Sequence, residues 1–171
     1  LVTYIYEKGH RKIAYIHGAD SSVTQNRLSS FYRTPKEFGI EVPDEYVREA
    51  AYRDTKEAYR KTEELLDLPD PPTCILYPDD FASFGGINAI KARGLRIPED
   101  ISVAGYDGIR IARHIEPKLT TLKQDTERIG WEAAENLISL IEEPKSTLIR
   151  LVSIGGEVYE GHTVADINPE A

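Results

Sequence analysis

The chain has 171 residues, 40% hydrophobic and 29% charged, with a formal net charge of -8. That balance points to one soluble, globular unit with a real core and excludes a disordered chain. The negative charge argues against direct nucleic-acid contact by this segment, no apolar run is long enough to span a membrane, and Cys74, the only cysteine, excludes an internal disulfide.

In chain order, residues 1–9 read as a helix, with Val2, Ile5 and Tyr6 at helical spacing and Gly9 as its stop. Residues 12–17 (KIAYIH), apolar and bounded by Gly18, read as a buried strand. A helix is expected over 24–38, with Leu28, Phe31 and Phe38 on one side, Pro35 kinking or shortening it, and Gly39 closing it. A weaker strand is expected over 47–52. Asp54 and Glu57 then open a helix over 55–67 in capping-box fashion.

Beyond Pro69, Pro71 and Pro72, residues 74–77 (CILY) form a third strand. Asp79 or Asp80 caps a helix over 80–93, leaving the other acid free for function, and residues 101–105 (ISVAG) form a fourth strand. Short apolar strands separated by helices imply parallel pairing with right-handed crossovers. From 108 to 122 the expectation is irregular structure. An amphipathic helix follows over 125–142, with Ile129, Ala133, Leu137, Ile138 and Ile141 at core spacing, and the segment 147–164 should contain strand flanking Gly155–Gly156.

In an open parallel sheet, ligands bind beyond the carboxyl ends of the strands. The sequence places Asp20, Ser21, Ser22, Thr24 and Arg27 after the first strand, and Tyr52, Arg53 and Asp54 after the second. Asp79 and Asp80 follow the third, Tyr106 and Asp107 the fourth. Carboxylates accept from hydroxyls, a guanidinium donates a planar fork and a tyrosine face covers an apolar ring, the chemistry of a site for a polyol or heterocycle. Each has a structural alternative: Asp54 as a cap, Asp107–Gly108 as a turn, Arg27 as a surface ion-pair residue, Tyr52 as strand-end packing. His10, His17, His114 and His162 form no metal-binding pattern, and the usual nucleophile elbow and phosphate loops are absent. Gly85–Gly86 is expected to allow close helix–sheet packing.

These segments resemble one family. Residues 8–18 (KGHRKIAYIHG), Ser21-Ser22-Val23 with Arg27-Leu28 and Phe31, residues 78–108 (PDDFASFGGINAIKARGLRIPEDISVAGYDG) and Pro117–Thr121 with Gln124 are similar to the signatures of LacI/GalR transcriptional repressors, over essentially the whole chain. The resemblance implies an α/β fold, a parallel-sheet Rossmann-like lobe of the periplasmic-binding-protein type I kind in three α-β-α layers. It implies that 1–9 is the last element of a preceding subdomain and that 10–116 is the C-terminal effector-binding subdomain. Residues 117–146 would cross over and give a helix to the N-terminal subdomain, and 147–171 would return. The chain, which starts at Leu1 and lacks Met, is accordingly expected to be a piece of a longer protein.

By residue, the resemblance puts effector contacts at Asp107, the polar anchor, and at Arg27, Tyr52, Asp79 and Ser22. No catalysis, cofactor or metal is expected. The implied partners are a small-molecule effector, a sugar above all; operator DNA, through a helix-turn-helix head outside this chain; and a second copy in a homodimer. The implied location is the cytoplasm, with no membrane partner. A periplasmic-type sugar-binding protein of a transporter is the alternative, and an acid-cluster enzyme or phospho-receiver ranks below both.

Overall fold

A computed structural model describes residues 1–145, 148 and 151–168. Along it run α1 (Val2–Glu7), β1 (Ile13–His17), α2 (Ser22–Glu37), β2 (Val47–Glu49), α3 (Thr55–Leu66), β3 (Cys74–Leu76), α4 (Asp80–Ala92), β4 (Ser102–Asp107), β5 (Thr120–Lys123), α5 (Thr126–Glu142) and β6 (Glu157–Tyr159). Single 3-10 turns occupy Asp44–Tyr46 and Arg110–Arg113.

The six strands form one sheet in the order β2-β1-β3-β4-β5-β6. The first five are parallel and β6 lies antiparallel on β5. Period-two alternation divides the strand residues between two cores. Ile13 and Tyr15 of β1, Cys74 and Leu76 of β3, and Ala104 of β4 pack with Ile5 and Tyr6 of α1 and Phe31 of α2. Ala14 and Ile16, Ile75 and Tyr77, and Val103 pack with Ala58 and Leu65 of α3 and Ala82, Ile87 and Ile90 of α4. The result is the expected three-layer α-β-α arrangement. With both faces covered, the strands read as continuous apolar runs.

Several boundaries differ from expectation. Helix α2 starts at Ser22, because Ser21 caps it by accepting from Thr24 N at 3.1 Å. Pro35 sits in the last helical turn, where its missing N–H removes one helical bond, and the helix ends at Glu37. Strand β2 stops at Glu49, because the chain turns sharply at Arg53, where φ is +63°. Strand β4 runs on to Asp107.

Two expectations are corrected. The stretch 108–122 is not wholly irregular, since β5 begins at Thr120 and pairs Thr121 with Gly105. Its first residues are threonines whose side chains are buried but hydrogen-bonded, a pattern that apolar periodicity misses. The apolar stripe of α5 is not core here: no residue of the helix is buried, and Leu137 and Ile141 are 59% and 70% exposed. An amphipathic pattern shows that a face is suited to being covered and does not supply the cover. Strand follows Gly155–Gly156, at Glu157–Tyr159, but among the described residues none precedes the pair: 148 and 151–154 are not strand. The part of that expectation on residues 147, 149 and 150 lies outside the described residues.

Candidate functional site

The carboxyl edge of the parallel strands is also where α2, α3 and α4 begin, each with an oxygen-bearing cap. Ser21 caps α2. Asp54 caps α3, accepting from Lys56 N at 3.1 Å and Glu57 N at 3.0 Å. Asp79 caps α4, accepting from Ala82 N at 2.8 Å. Helix N-termini leave N–H groups unsatisfied and carry partial positive charge, so short polar side chains collect there.

The acidic pair has a purpose that the sequence left open. Asp79, 2% exposed, uses its second oxygen to accept from Arg53 N at 2.7 Å, fixing the turn after β2. Asp80 is fully buried. It accepts from Ile109 N at 2.8 Å and from the Thr121 hydroxyl at 2.6 Å. Burial pushes its carboxyl up to about 6, against the hydrogen bonds from Thr121 and Ile109. The expectation that the acid not used as a cap stays free is therefore corrected: Asp80 ties α4 to β5 and to the loop after β4. A Cβ on Gly105 would lie 2.3 Å from Asp80 Oδ1, so a glycine in β4 makes room for it.

Asp107 ends β4 at φ +110°, a conformation unusual for a residue with a Cβ. The turn is held from three sides. Ile109 N donates to Asp80, Gly108 N donates to Thr121 Oγ1 at 3.3 Å, and Gln124 Nε2 donates to Asp107 Oδ1 at 2.6 Å. Asp107 is half-buried, and its carboxyl is pushed up mainly by desolvation, while Gln124, Arg27 and Arg53 pull it down. Among the described residues, Oδ2 of Asp107 has no hydrogen-bond partner and remains able to accept.

Arg27 lies in the second turn of α2. It donates one N–H to Pro78 O at 2.9 Å, and its guanidinium carbon sits 3.6 Å from the Tyr106 ring centroid and 5.9 Å from that of Tyr52. A guanidinium flat on an aromatic face keeps its edge N–H groups for other acceptors. The Tyr52 ring rests on Gly18, where a Cβ would come within 2.1 Å of Cε2, and its hydroxyl meets Thr24 Oγ1 at 2.9 Å. Ser22 is the first residue of α2 and is exposed.

Arg27, Tyr52 and Asp107 thus lie together, with Asp79 inside the wall, while Ser22 stands exposed at the start of α2 and does not line the cavity beside them. Gln124 and Thr121 join this rim through Asp107 and Asp80, and apolar periodicity gives no sign of either. Both come from β5 or its end, the strand that was not expected. Beside this rim opens a cavity of about 300 Å³, lined by Arg27 and Tyr106 together with Tyr15, Asn26, Ser30 and the start of α1. Among the described residues no cluster of His, Cys, Asp or Glu could hold a metal ion. Cys74 is wholly buried, and burial pushes its thiol up, so it is an inert core residue. No helix among the described residues is long and apolar enough to cross a membrane.

A guanidinium, aromatic rings and a half-buried carboxylate thus gather at the strand ends of a parallel α/β lobe. The chain belongs to the periplasmic binding protein-like domain family, whose model matches residues 2–164. It is 37% identical over 146 residues, 85% of its length, to the probable HTH-type transcriptional repressor ExuR of Bacillus subtilis. It is 32% identical over 168 residues, 95% of its length, to the HTH-type transcriptional repressor PurR of Escherichia coli. A solved complex of the transcriptional regulator CelR with cellobiose superimposes with a TM-score of 0.86 at 29% identity, covering 95% of this chain and 49% of that one. The chain spans about half the length of the curated relatives it matches, 44% of ExuR and 48% of PurR. The resemblance to LacI-type repressors is borne out by these relatives, and they are regulators rather than enzymes.

Proposed function

We propose that this chain is the effector-sensing portion of a LacI-type transcriptional regulator. A small polyhydroxylated molecule, a sugar, binds on the carboxyl edge of β1–β4, between this lobe and an N-terminal one. Asp107 Oδ2 accepts from its hydroxyls, Arg27 donates to its oxygens, Tyr52 and Tyr106 cover its apolar faces, and Ser22 reaches it from the start of α2. Asp79 acts through the Arg53 turn and offers the ligand what acceptance its two backbone bonds leave. Binding shifts a two-state equilibrium between lobe arrangements and so biases the operator affinity of a helix-turn-helix head in a cytoplasmic homodimer.

The observation that carries this reading is Asp107, held in a strained turn with one oxygen unpartnered beside Arg27. The repressor names of the relatives and the cellobiose complex support regulation over transport. Calorimetric titration of the full-length protein with neutral sugars, sugar acids, sugar phosphates and purines tests it. One of these should bind. Asp107→Ala should weaken it by about 10- to 100-fold, the range for losing a hydrogen bond to a charged group. A full panel without binding, or binding indifferent to Asp107→Ala, would sink the assignment.

A further inference from the structure

The carboxyl edge of the sheet carries the site, and the amino edge carries a strap. After β6 the chain turns at Gly161 and runs past the amino ends of β5, β4, β3 and β1 to the end of α1. Thr163 is wholly buried: its carbonyl accepts from Val103 N at 2.8 Å, and its hydroxyl accepts from Thr120 N at 2.8 Å and donates to Val103 O at 2.7 Å. Ala165 N donates to Ser102 Oγ at 2.9 Å, Ile167 N to Lys8 O at 2.9 Å, and Asn168 Nδ2 to Glu7 O at 2.8 Å. Residues 163–168 form neither strand nor helix, so these bonds to other segments are what hold them.

His10, 1% exposed between α1 and β1, meets the middle of the strap. Its Nε2 donates to Ala165 O at 3.2 Å; a carbonyl only accepts, so this nitrogen carries the proton of the neutral ring. Nδ1 lies 2.9 Å from Thr73 Oγ1, whose single hydrogen has two acceptors in reach, Nδ1 itself and Lys12 O at 3.2 Å. A neutral ring takes that hydrogen. A protonated ring must donate instead and turns the Thr73 hydroxyl to Lys12 O. Among the described residues, Asp166 on the strap favours the charged ring and Arg11 at the entry to β1 opposes it. Lys8 at the end of α1 pairs with Asp166 at 3.4 Å, Lys12 pairs with Asp70, and the β3 and β4 edges present only the neutral Thr73 and Ser102. Burial outweighs these charges and holds the ring below its ordinary value of 6.5.

We propose that residues 163–168 are a releasable strap with His10 as its proton-sensitive clasp, so that acidification frees the strap from the amino edge while the sheet stays folded. A released ring returns to water and to its ordinary 6.5. Below that pH the open form binds a proton that the closed form does not, so closure is fully stable above it and loses stability as pH falls. The consequence reaches the far edge of the sheet. The strap holds the end of α1 through Glu7 O and Lys8 O, and the start of the same short helix, Leu1, Val2 and Thr3, lines the cavity beside Arg27. The clasp therefore steadies that wall from the opposite edge, whatever the ligand.

Hydrogen–deuterium exchange of the full-length protein at about pH 5.8 and about pH 7.8, read by mass spectrometry and corrected for intrinsic exchange, tests it. The peptide spanning 163–168 should lose about three- to sixfold of its protection at the lower pH. The end of β3, where Tyr77 N donates to Ala104 O at 2.9 Å, should keep its own. His10→Gln, whose amide can still donate to Ala165 O but does not titrate, should protect the strap equally at both pH values. Asp166→Asn removes the carboxylate that favours the charged ring and should deepen the loss, and it serves as the variant of record if a thermal melt shows His10→Gln unfolded. Strap protection equal at both pH values in the parent protein, or a loss that survives in folded His10→Gln, would overturn the clasp. A strap and β3 that open together would overturn local release.

Discussion

At the scale of single residues, Asp80 and Asp107 show how a carboxylate is assigned its work by its surroundings. Asp80 keeps its proton to about pH 6 in the fold, against an ordinary value of 3.8. Between about pH 4 and 6 the folded chain therefore binds more protons than the unfolded one, and this group makes stability fall as pH rises through that window, by up to ~3 kcal/mol in all. Asp80→Asn should fold and flatten that part of the profile, since an amide can still accept from Ile109 N and donate to Thr121. Urea unfolding at pH 4.5 and 7 reads the difference, and identical slopes for both proteins would refute it. Asp80→Ala strands the Ile109 N–H and the Thr121 hydroxyl and should cost about 2–4 kcal/mol. Asp107 separates stability from function. Asp107→Gly relieves the positive φ but loses the bond to Gln124, so stability should stay within ~1 kcal/mol of the parent, while effector binding should weaken by about 10- to 100-fold, as for Asp107→Ala. A collapse in melting temperature would show that the turn is structural first.

At the scale of elements, the close approaches decide what tolerates change. A Cβ on Gly85 would meet the Thr55 backbone carbonyl at 2.0 Å, so α4 lies directly on the start of α3. One on Gly86 would meet the Tyr77 hydroxyl at 1.8 Å, where the helix rests on the end of β3. The sequence suggested helix–sheet packing at this pair, which holds for Gly86, while Gly85 serves helix–helix packing. Gly85→Ala should destabilise by about 1–3 kcal/mol, despite its better helix propensity, because backbone cannot move aside as a side-chain tip can. Denaturant midpoints would check this, and a stabilised variant would contradict it. Helix α5 behaves oppositely. With Leu137 and Ile141 exposed, replacing both by Gln should change the stability of residues 1–171 by no more than ~0.5 kcal/mol. We expect the same pair to destabilise the longer protein by several-fold more, as an N-terminal lobe covering that face would require. Melting both lengths side by side would show whether the face is covered there.

At the scale of the whole molecule, ligand and fold are linked by mass action. An effector present at a hundredfold excess over its dissociation constant should add about 2.7 kcal/mol to the full-length protein, and less to residues 1–171, which present the carboxyl edge of a single sheet. Equal stabilisation of both would mean that this lobe alone makes the site. The layered α/β class, the succession of the first four strands along the chain and the residues on their carboxyl edge follow from the sequence, because apolar runs, caps and glycine stops are local signals that repeat at 2.0 or 3.6 residues. The family resemblance rests on the same short segments. Three things were decided only in the tertiary structure. Strand β5 exists because Asp80 and Thr163, distant along the chain, satisfy its buried threonines. Asp79 and Asp80 turn inward because the Arg53 turn, the loop after β4 and Thr121 supply their donors, whereas, among the described residues, Arg27 and Arg53 find rings and no carboxylate. The stripe on α5 stays open to solvent, because whether an apolar face is core depends on what stands opposite it, and that is a matter of long-range packing rather than of spacing along the chain.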